Sequence, residues 1–361
     1  MDAGQTNVPW KPTLLPPDSE LETRKILKKL PAAHRALAEL KGIGSTIPNQ
    51  TILLNTLGLQ EARDSSAVEN IITTHDELFK AELNLTGWQS AAAKEVQNYA
   101  AALKKGFDLI EQSEMITSNH ILKIQSVLEN NKAGYRRLPG TVLKNIQTGE
   151  VVFTPSQDYD EIVSAMSNLV AFINDDSLCD ADPLIKMAVI HFQFESIHPF
   201  YDGNGRTGRI INILYLIRNS LLHLPILYLS RYIIENKNQY YQLLQDVREK
   251  NEWEPWILFM LEGVEKTSQD TISLVLEIKK LMMDYKHRIR SGYKFYSQEL
   301  INNLFRHPYT KIEFIQKDLG VSRVTASAYL NRLAEDGLLI KRKLGVGNYY
   351  VNEPLVKLFA R

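Results

Sequence analysis

The run His198-Pro199-Phe200-Tyr201-Asp202-Gly203-Asn204-Gly205-Arg206-Thr207-Gly208-Arg209 assembles the parts of a phosphate site within twelve residues. Gly203, Gly205 and Gly208 remove side chains, so backbone N–H groups can approach an anion. A helix expected to start near Arg206 aims its positive end at the same place. Asp202 supplies a hard oxygen for Mg2+, and Arg206 and Arg209, three apart, share one helical face. His198 can exchange a proton near neutral pH. A glycine-rich loop that only caps a helix would need the glycines, but not His, Asp, Asn and two Arg together.

Helical patterns flank this loop at Pro183 to Ser196 and Arg206 to Asn219, and others cover most of the chain. With Pro9, Pro12, Pro16 and Pro17, residues 1 to 20 read as an extended arm laid on the surface or as a loosely ordered one. Ser19 is placed to cap a helix through Leu30, and Pro31 to open an Ala-rich one that stops at Gly42-Ile43-Gly44. Asn49 to Ile71 supports two further helices, and Trp88 to Phe107 and Asn119 to Leu128 are amphipathic. Helices are also expected at Asp158 to Asn174, Asn238 to Lys250 and Trp253 to Met283, with Glu277 to Arg290 a solvated connector. Between Ala133 and Pro155, β-formers alternate around Thr148-Gly149, the pattern of a hairpin on a helical body. Beyond Ser297 come a helix, Lys311 to Leu319, a Gly320-Val321 turn, a helix from Ser322 to Asp336 and a ribbon from Leu338 to Val351. That order is the winged-helix arrangement.

Length and composition set the frame. At 361 residues the chain exceeds the usual single domain, and 44% hydrophobic against 23% charged residues is globular composition. Lys+Arg 42 against Asp+Glu 42 gives no whole-protein field toward nucleic acid or membrane, so polyanion binding must be local. Cys179, the single cysteine, cannot form an internal disulfide. The opening MDAGQTNVPW shows neither a basic n-region nor an apolar h-region, which reads as cytoplasmic. The most apolar stretch, Ile210 to Leu229, is interrupted by Asn212, Arg218, Asn219, His223 and Pro225, so no membrane contact is expected.

The motif resembles the Fic-family pattern HPFx(D/E)GNGRxxR at every specified position, a resemblance extending over roughly residues 10 to 265. It implies a mainly helical fold that transfers AMP from ATP to a protein hydroxyl. On that resemblance His198 is the general base, Asp202 the Mg2+ ligand, Asn204 with the loop amides the α-phosphate cradle, and Arg206 and Arg209 the holders of the β- and γ-phosphates. Nucleotide contact is expected across Asp202, Gly203, Asn204, Gly205, Arg206, Thr207, Gly208 and Arg209. Gly205 stands where the related kinase-like branch carries Lys. Tyr240-Tyr241 matches a pair that members of the family place beside the base, and the same pair also suits a core. Ser65-Ser66-Ala67-Val68-Glu69-Asn70 resembles the inhibitory pattern (S/T)xxxE(G/N), in which Glu69 would pair with Arg209 in the place of the γ-phosphate. The hairpin from Gly140 to Pro155 corresponds to the family's flap, with Thr141, Val142 and Leu143, on to Asn145, offering main-chain pairing to a target.

The expected architecture is therefore an N-terminal arm with helices including the inhibitory one (1–90), a Fic core with a β-hairpin flap (91–275) and a winged-helix C-terminal domain (276–361). Between Lys311 and Gly347 stand seven Lys/Arg and four Asp/Glu, a modest supply for DNA, so DNA contact and protein contact through this unit both stay open. The expected partners are ATP with Mg2+ and a protein substrate. Two rivals share the same residues: a nucleotide-sensing transcriptional regulator, which has no need of His198, and removal of AMP from a modified protein.

Overall fold

The computed structural model describes residues 8–83, 90–144, 148–344 and 347–360. The arm over residues 8–23 is irregular and fastened to the body. Trp10 N donates to Thr154 O at 2.8 Å, Gln193 Nε2 donates to Thr13 O at 2.7 Å, and Leu15 and Asn168 exchange two hydrogen bonds.

Helix α1 (Arg24–Gly44) corrects the first expectation. It is one helix with Pro31 inside, and its cap is Thr23; the Ser19 hydroxyl instead accepts from Asn251. Proline removes the donor that Leu27 O would use, but Leu27 and Pro31 both lie on the exposed face, where water can meet that carbonyl. The two helices expected between Asn49 and Ile71 are likewise one, α2 (Thr51–Val68), running through Gly58. It continues because it is buried on nearly every side, and it stops where Asn70 turns to φ 63°. A short α3 (His75–Glu82) follows behind a Thr74–Glu77 capping box.

Then come α4 (Ala91–Ser113), capped by Ser90, and α5 (Ser118–Leu128). Trp88, expected at the start of α4, lies outside the described residues. The hairpin is β1 (Leu143–Lys144) antiparallel to β2 (Val151–Phe153), with Leu143 opposite Phe153 and Lys144 opposite Val151. Asn145 lies outside the described residues. The core continues with α6 (Tyr159–Asn174), α7 (Pro183–Ile197), α8 (Asn204–Arg218), α9 (Leu229–Glu235), α10 (Lys237–Lys250) and α11 (Trp253–Gly292). Every residue from Leu184 to Ile197 is buried, so α7 is the central helix. It packs against α6, α8 and α11, while α4 and α5 close over α8 and α1 lies along α11.

After α11 the chain builds α12 (Gln298–Arg306), β3 (Tyr309–Thr310), α13 (Ile312–Leu319), α14 (Arg323–Glu335), β4 (Ile340–Leu344), β5 (Gly347–Val351) and α15 (Glu353–Phe359). The expected two-stranded ribbon gains a third strand, in the order β3-β5-β4. The solvated connector is corrected too. Glu277 to Arg290 is the continuation of α11, and Ile278, Met282, Tyr285 and Ile289 form a buried stripe with Tyr285 Oη donating to Leu338 O at 2.7 Å. This terminal unit rests on α2 and α3. Gln60 Nε2 donates to Phe359 O at 3.1 Å, Tyr309 Oη to Asp76 at 2.6 Å and Lys311 Nζ to Leu83 O at 2.6 Å. Among the described residues, no helix is long and apolar enough to cross a membrane.

Candidate active site

Helix α7 delivers His198 and α8 receives the loop that follows. Asp182 caps α7, Pro183 opens it, and His198 ends it in the left-handed region at φ 50°, ψ 59°. Asn204 then shapes the loop: its Oδ1 accepts from Phe200 N and its Nδ2 donates to Phe200 O, each at 2.8 Å. Both ends of the side chain are thus used in holding Phe200, so Asn204 fixes the backbone of the loop. Gly203, at φ 76°, is the N-cap of α8. The first-turn amides of α8 have no acceptor within the helix, which leaves donors for an anion. Asp202 is exposed, with Oδ1 accepting from Gly203 N at 2.7 Å.

The glycines differ in purpose. A side chain at Gly205 would overlap the Glu69 carboxylate, and one at Gly203 would overlap Glu129. Gly208, expected beside the anion, instead lets α8 approach α7: a Cβ there would meet Glu195 Oε1 at 2.8 Å and Phe194 at 3.0 Å. Thr207 is fully buried, its N donating to Gly203 O.

Both arginines are buried and held by acidic partners. Arg209 Nε donates to Ser65 Oγ at 2.7 Å, and Nη2 donates to Ser65 O at 2.9 Å and Glu69 Oε1 at 2.8 Å. Glu69 is the C-cap of α2, which places it at the end of a helix aimed into the loop. Burial alone would raise its pKa, but Arg209, and behind it Arg206, hold it below the usual range. Burial opposes charge on Arg209 in turn, and the negative groups led by Glu69 overcome that and raise it. Arg206 has different partners: Nη1 donates to Glu95 of α4 at 2.7 Å and Nη2 to Glu129, just past α5, at 2.8 Å.

Burial lowers the His198 pKa to about 4, helped by the charges of Arg136 and Arg248, so the imidazole is neutral at pH 7. Its Nδ1 is enclosed without a well-formed hydrogen bond. One turn earlier, burial raises Glu195 to about 7.

The tyrosine pair splits. Tyr240 is a core residue, its hydroxyl 2.9 Å from His191 Nε2 and its ring against Trp256, whereas Tyr241 is 42% exposed. Of the two rings, Tyr241's is the one open to solvent. On the flap, Val142 is exposed, but Thr141 O already accepts from Gln157 Nε2 at 3.0 Å. Sequence reasoning missed Arg136, Glu95, Glu129 and Lys237. Arg136 grips the end of α7, and Lys237 Nζ donates to Asn70 Oδ1 at 2.9 Å beside Glu69. The carboxylates gave no signal, lying 111 and 77 residues from Arg206.

Three family models match this chain in order: Fic/DOC family N-terminal over residues 27–108, Fic/DOC family over 115–216, and protein adenylyltransferase SoFic-like, C-terminal domain, over 281–355. The chain is 27% identical over 165 residues to protein adenylyltransferase fic-1 of Caenorhabditis elegans, covering 42% of this chain and 31% of that one. It is 28% identical over 156 residues to a probable protein adenylyltransferase of Aquifex aeolicus, covering 42% and 45%. The chain thus spans less than half the length of these curated relatives. Among solved structures, a Fic family protein from Desulfovibrio desulfuricans G20 superposes with TM-score 0.59 at 19% identity, over 91% of this chain and 96% of that one. Fic-1 of C. elegans gives 0.53 at 22% identity, over 69% and 72%. At such identities the likeness concerns the fold, and it agrees with the ordered family matches and the complete loop motif: this chain is a member of the Fic/DOC family.

Proposed function

We propose that the chain transfers AMP from ATP to a Tyr, Ser or Thr hydroxyl of a target protein or of itself, and that Glu69 restrains it. The observation that carries this reading is a neutral His198 at the mouth of an anion-shaped loop whose Arg209 is already occupied by a carboxylate. The acceptor oxygen attacks the α-phosphorus, its proton passes to His198 Nε2, and the bond to the β-phosphate oxygen breaks to release pyrophosphate. Loop amides receive the α-phosphate, and Arg206 and Arg209 stabilise the charge that develops on the leaving group. Glu69 stands where Arg209 would take the terminal phosphate. Tyr241 is the ring available to the base, and Val142 with Leu143 lines the ledge for a target segment.

Asp202 suits a magnesium ion that arrives with the nucleotide. It is a single exposed carboxylate, and no cluster of three or more His, Cys, Asp or Glu among the described residues forms a metal cage. Asp202 would hold such an ion, which would supply charge neutralisation on the triphosphate. For the C-terminal unit, which we read as a winged helix, protein contact is favoured over DNA. Arg323 and Arg332 of α14 are already paired with Glu313 at 2.8 Å and Asp336 at 3.0 Å.

The test is transfer of label from α-³²P-ATP in the Glu69→Gly background, with intact-mass spectrometry to name the added group. His198→Ala should lower the rate by on the order of 10² to 10⁴ while ATP affinity holds. Asp202→Ala should weaken nucleotide binding mainly when Mg2+ is present. Undiminished labelling by His198→Ala, or an added phosphate in place of AMP, overturns the reading. A chase with pre-labelled protein distinguishes AMP addition from AMP removal.

A further inference from the structure

Arg136 lies in the segment between α5 and the hairpin and is 1% exposed. Its Nε donates to His198 O at 2.8 Å, its Nη2 donates to Ser156 O and, at 3.4 Å, to Ile197 O, and its main-chain N donates to Pro199 O at 2.9 Å. Three of these acceptors are consecutive: the last carbonyl of α7 and the next two. A helix C-terminus leaves such carbonyls without partners and gathers partial negative charge, so a buried guanidinium there answers both needs. The same turn carries His198 in the left-handed region, a conformation that a Cβ makes costly. From outside, Tyr201 Oη accepts from Arg137 N at 2.9 Å and Leu138 N at 3.0 Å, fixing the segment to the motif a second time.

We infer that Arg136 is a positioning residue for His198, gripping the carbonyls on either side of its left-handed turn so that the imidazole is held toward the loop. The inference rests on the reading of His198 as the base. Four groups act on the His198 charge. Arg136 and Arg248 of α10 oppose protonation, while Glu69 at the end of α2 and the Glu195 carbonyl on α7 favour it. Removing the Arg136 cation should therefore move the acid limb of the rate profile upward in pH.

The experiment uses the full chain in the Glu69→Gly background and compares Arg136→Gln, Arg136→Lys and His198→Ala. Melting curves and circular dichroism establish folding, calorimetry reads ATP·Mg2+ affinity, and label transfer is measured across pH. Arg136→Gln should leave ATP affinity within about twofold and lower kcat on the order of 10²-fold, the loss expected when a reacting group is misplaced by about 1 Å. Its acid limb should move up. Arg136→Lys keeps the charge but loses the fork, so it should show a smaller fall in kcat, an unchanged KM for ATP and an unmoved acid limb. If Arg136→Gln fails to fold, Arg136→Lys carries the test through its fall in kcat at constant KM. Variants that fold but lose ATP affinity and rate in proportion, with the acid limb unmoved, overturn the inference. So does an unchanged rate in Arg136→Gln beside a dead His198→Ala, which leaves the base assignment standing. A fully active His198→Ala overturns both.

Discussion

Arg206 and Arg209 leave the same face of α8 one turn apart, and carboxylates close over both, yet the supports differ in kind. Arg206 is clamped from two helices: Glu95 projects from α4, and Glu129, only 9% exposed, follows α5. Among the described residues, Arg209 takes its hydrogen-bond partners from the last turn of α2 and its cap, Ser65 and Glu69. Glu69 keeps 36% of its side chain open to solvent, so the carboxylate can be hydrated if it leaves. One arginine is built in from two sides; the other is held from one side, by Ser65 and Glu69. On the proposed function, a restraint of the second kind is released when the Glu69 carboxylate turns to water, at the place where the triphosphate would end.

The largest expected effect comes from removing the single-sided partner. Glu69→Gly should raise labelling from α-³²P-ATP by on the order of ten- to a hundredfold, the equivalent of about 1.5–3 kcal/mol for a charge-assisted contact. Glu95→Ala should change it by less than about twofold, because Glu129 still holds Arg206. Equal gains in the two variants would erase the distinction between the arginines.

Stability should run the other way. Arg206→Ala strands Glu129 in a buried place and should cost on the order of 2–3 kcal/mol in denaturant unfolding. Arg209→Ala leaves a carboxylate that can turn to water and should cost about 1 kcal/mol. In calorimetry Arg209→Ala should weaken ATP far more than AMP; equal losses would mean that Arg209 does not meet the terminal phosphate.

A smaller effect sharpens how α2 is anchored. Glu61, two turns before Glu69, is buried and accepts from Tyr99 Oη at 3.2 Å, Ser230 N at 3.2 Å and the Ser230 hydroxyl. Burial raises its pKa from 4.5 to about 8. The folded state therefore binds the proton more tightly, so the stabilisation is full below pH 4.5 and is lost as pH rises through about 8. Glu61→Gln should flatten that decline in melting temperature, leaving a residual slope from Glu195, whose pKa burial raises to about 7. A slope identical to the parent's would remove Glu61 as its source.

Legibility varied with how local each determinant is. The loop was readable because its residues are contiguous, and α8 begins within it at Asn204. The hairpin was readable from its turn residues, whereas nothing near Gly208 in the sequence signals that a Cβ there would meet α7. Local rules make Pro31 open a second helix and divide Asn49 to Ile71 into two. Long-range packing overrides them by burying the rest of each helix and leaving the proline on a wet face.

By itself the sequence determined the parts of the site: the histidine, the acid, the glycines and the two arginines, with the helix that follows, because short-range spacing sets which groups share a turn or a face. Only the tertiary structure decided which parts are free. The partners of Arg209 come from about 140 residues away, Arg206 is shared between α4 and the end of α5, and Arg136 reaches the end of α7 from about 60 residues upstream. No local pattern encodes such pairings. They arise because a buried charge must find a partner and a helix end must satisfy its carbonyls, and the packing of distant helices determines which groups are within reach.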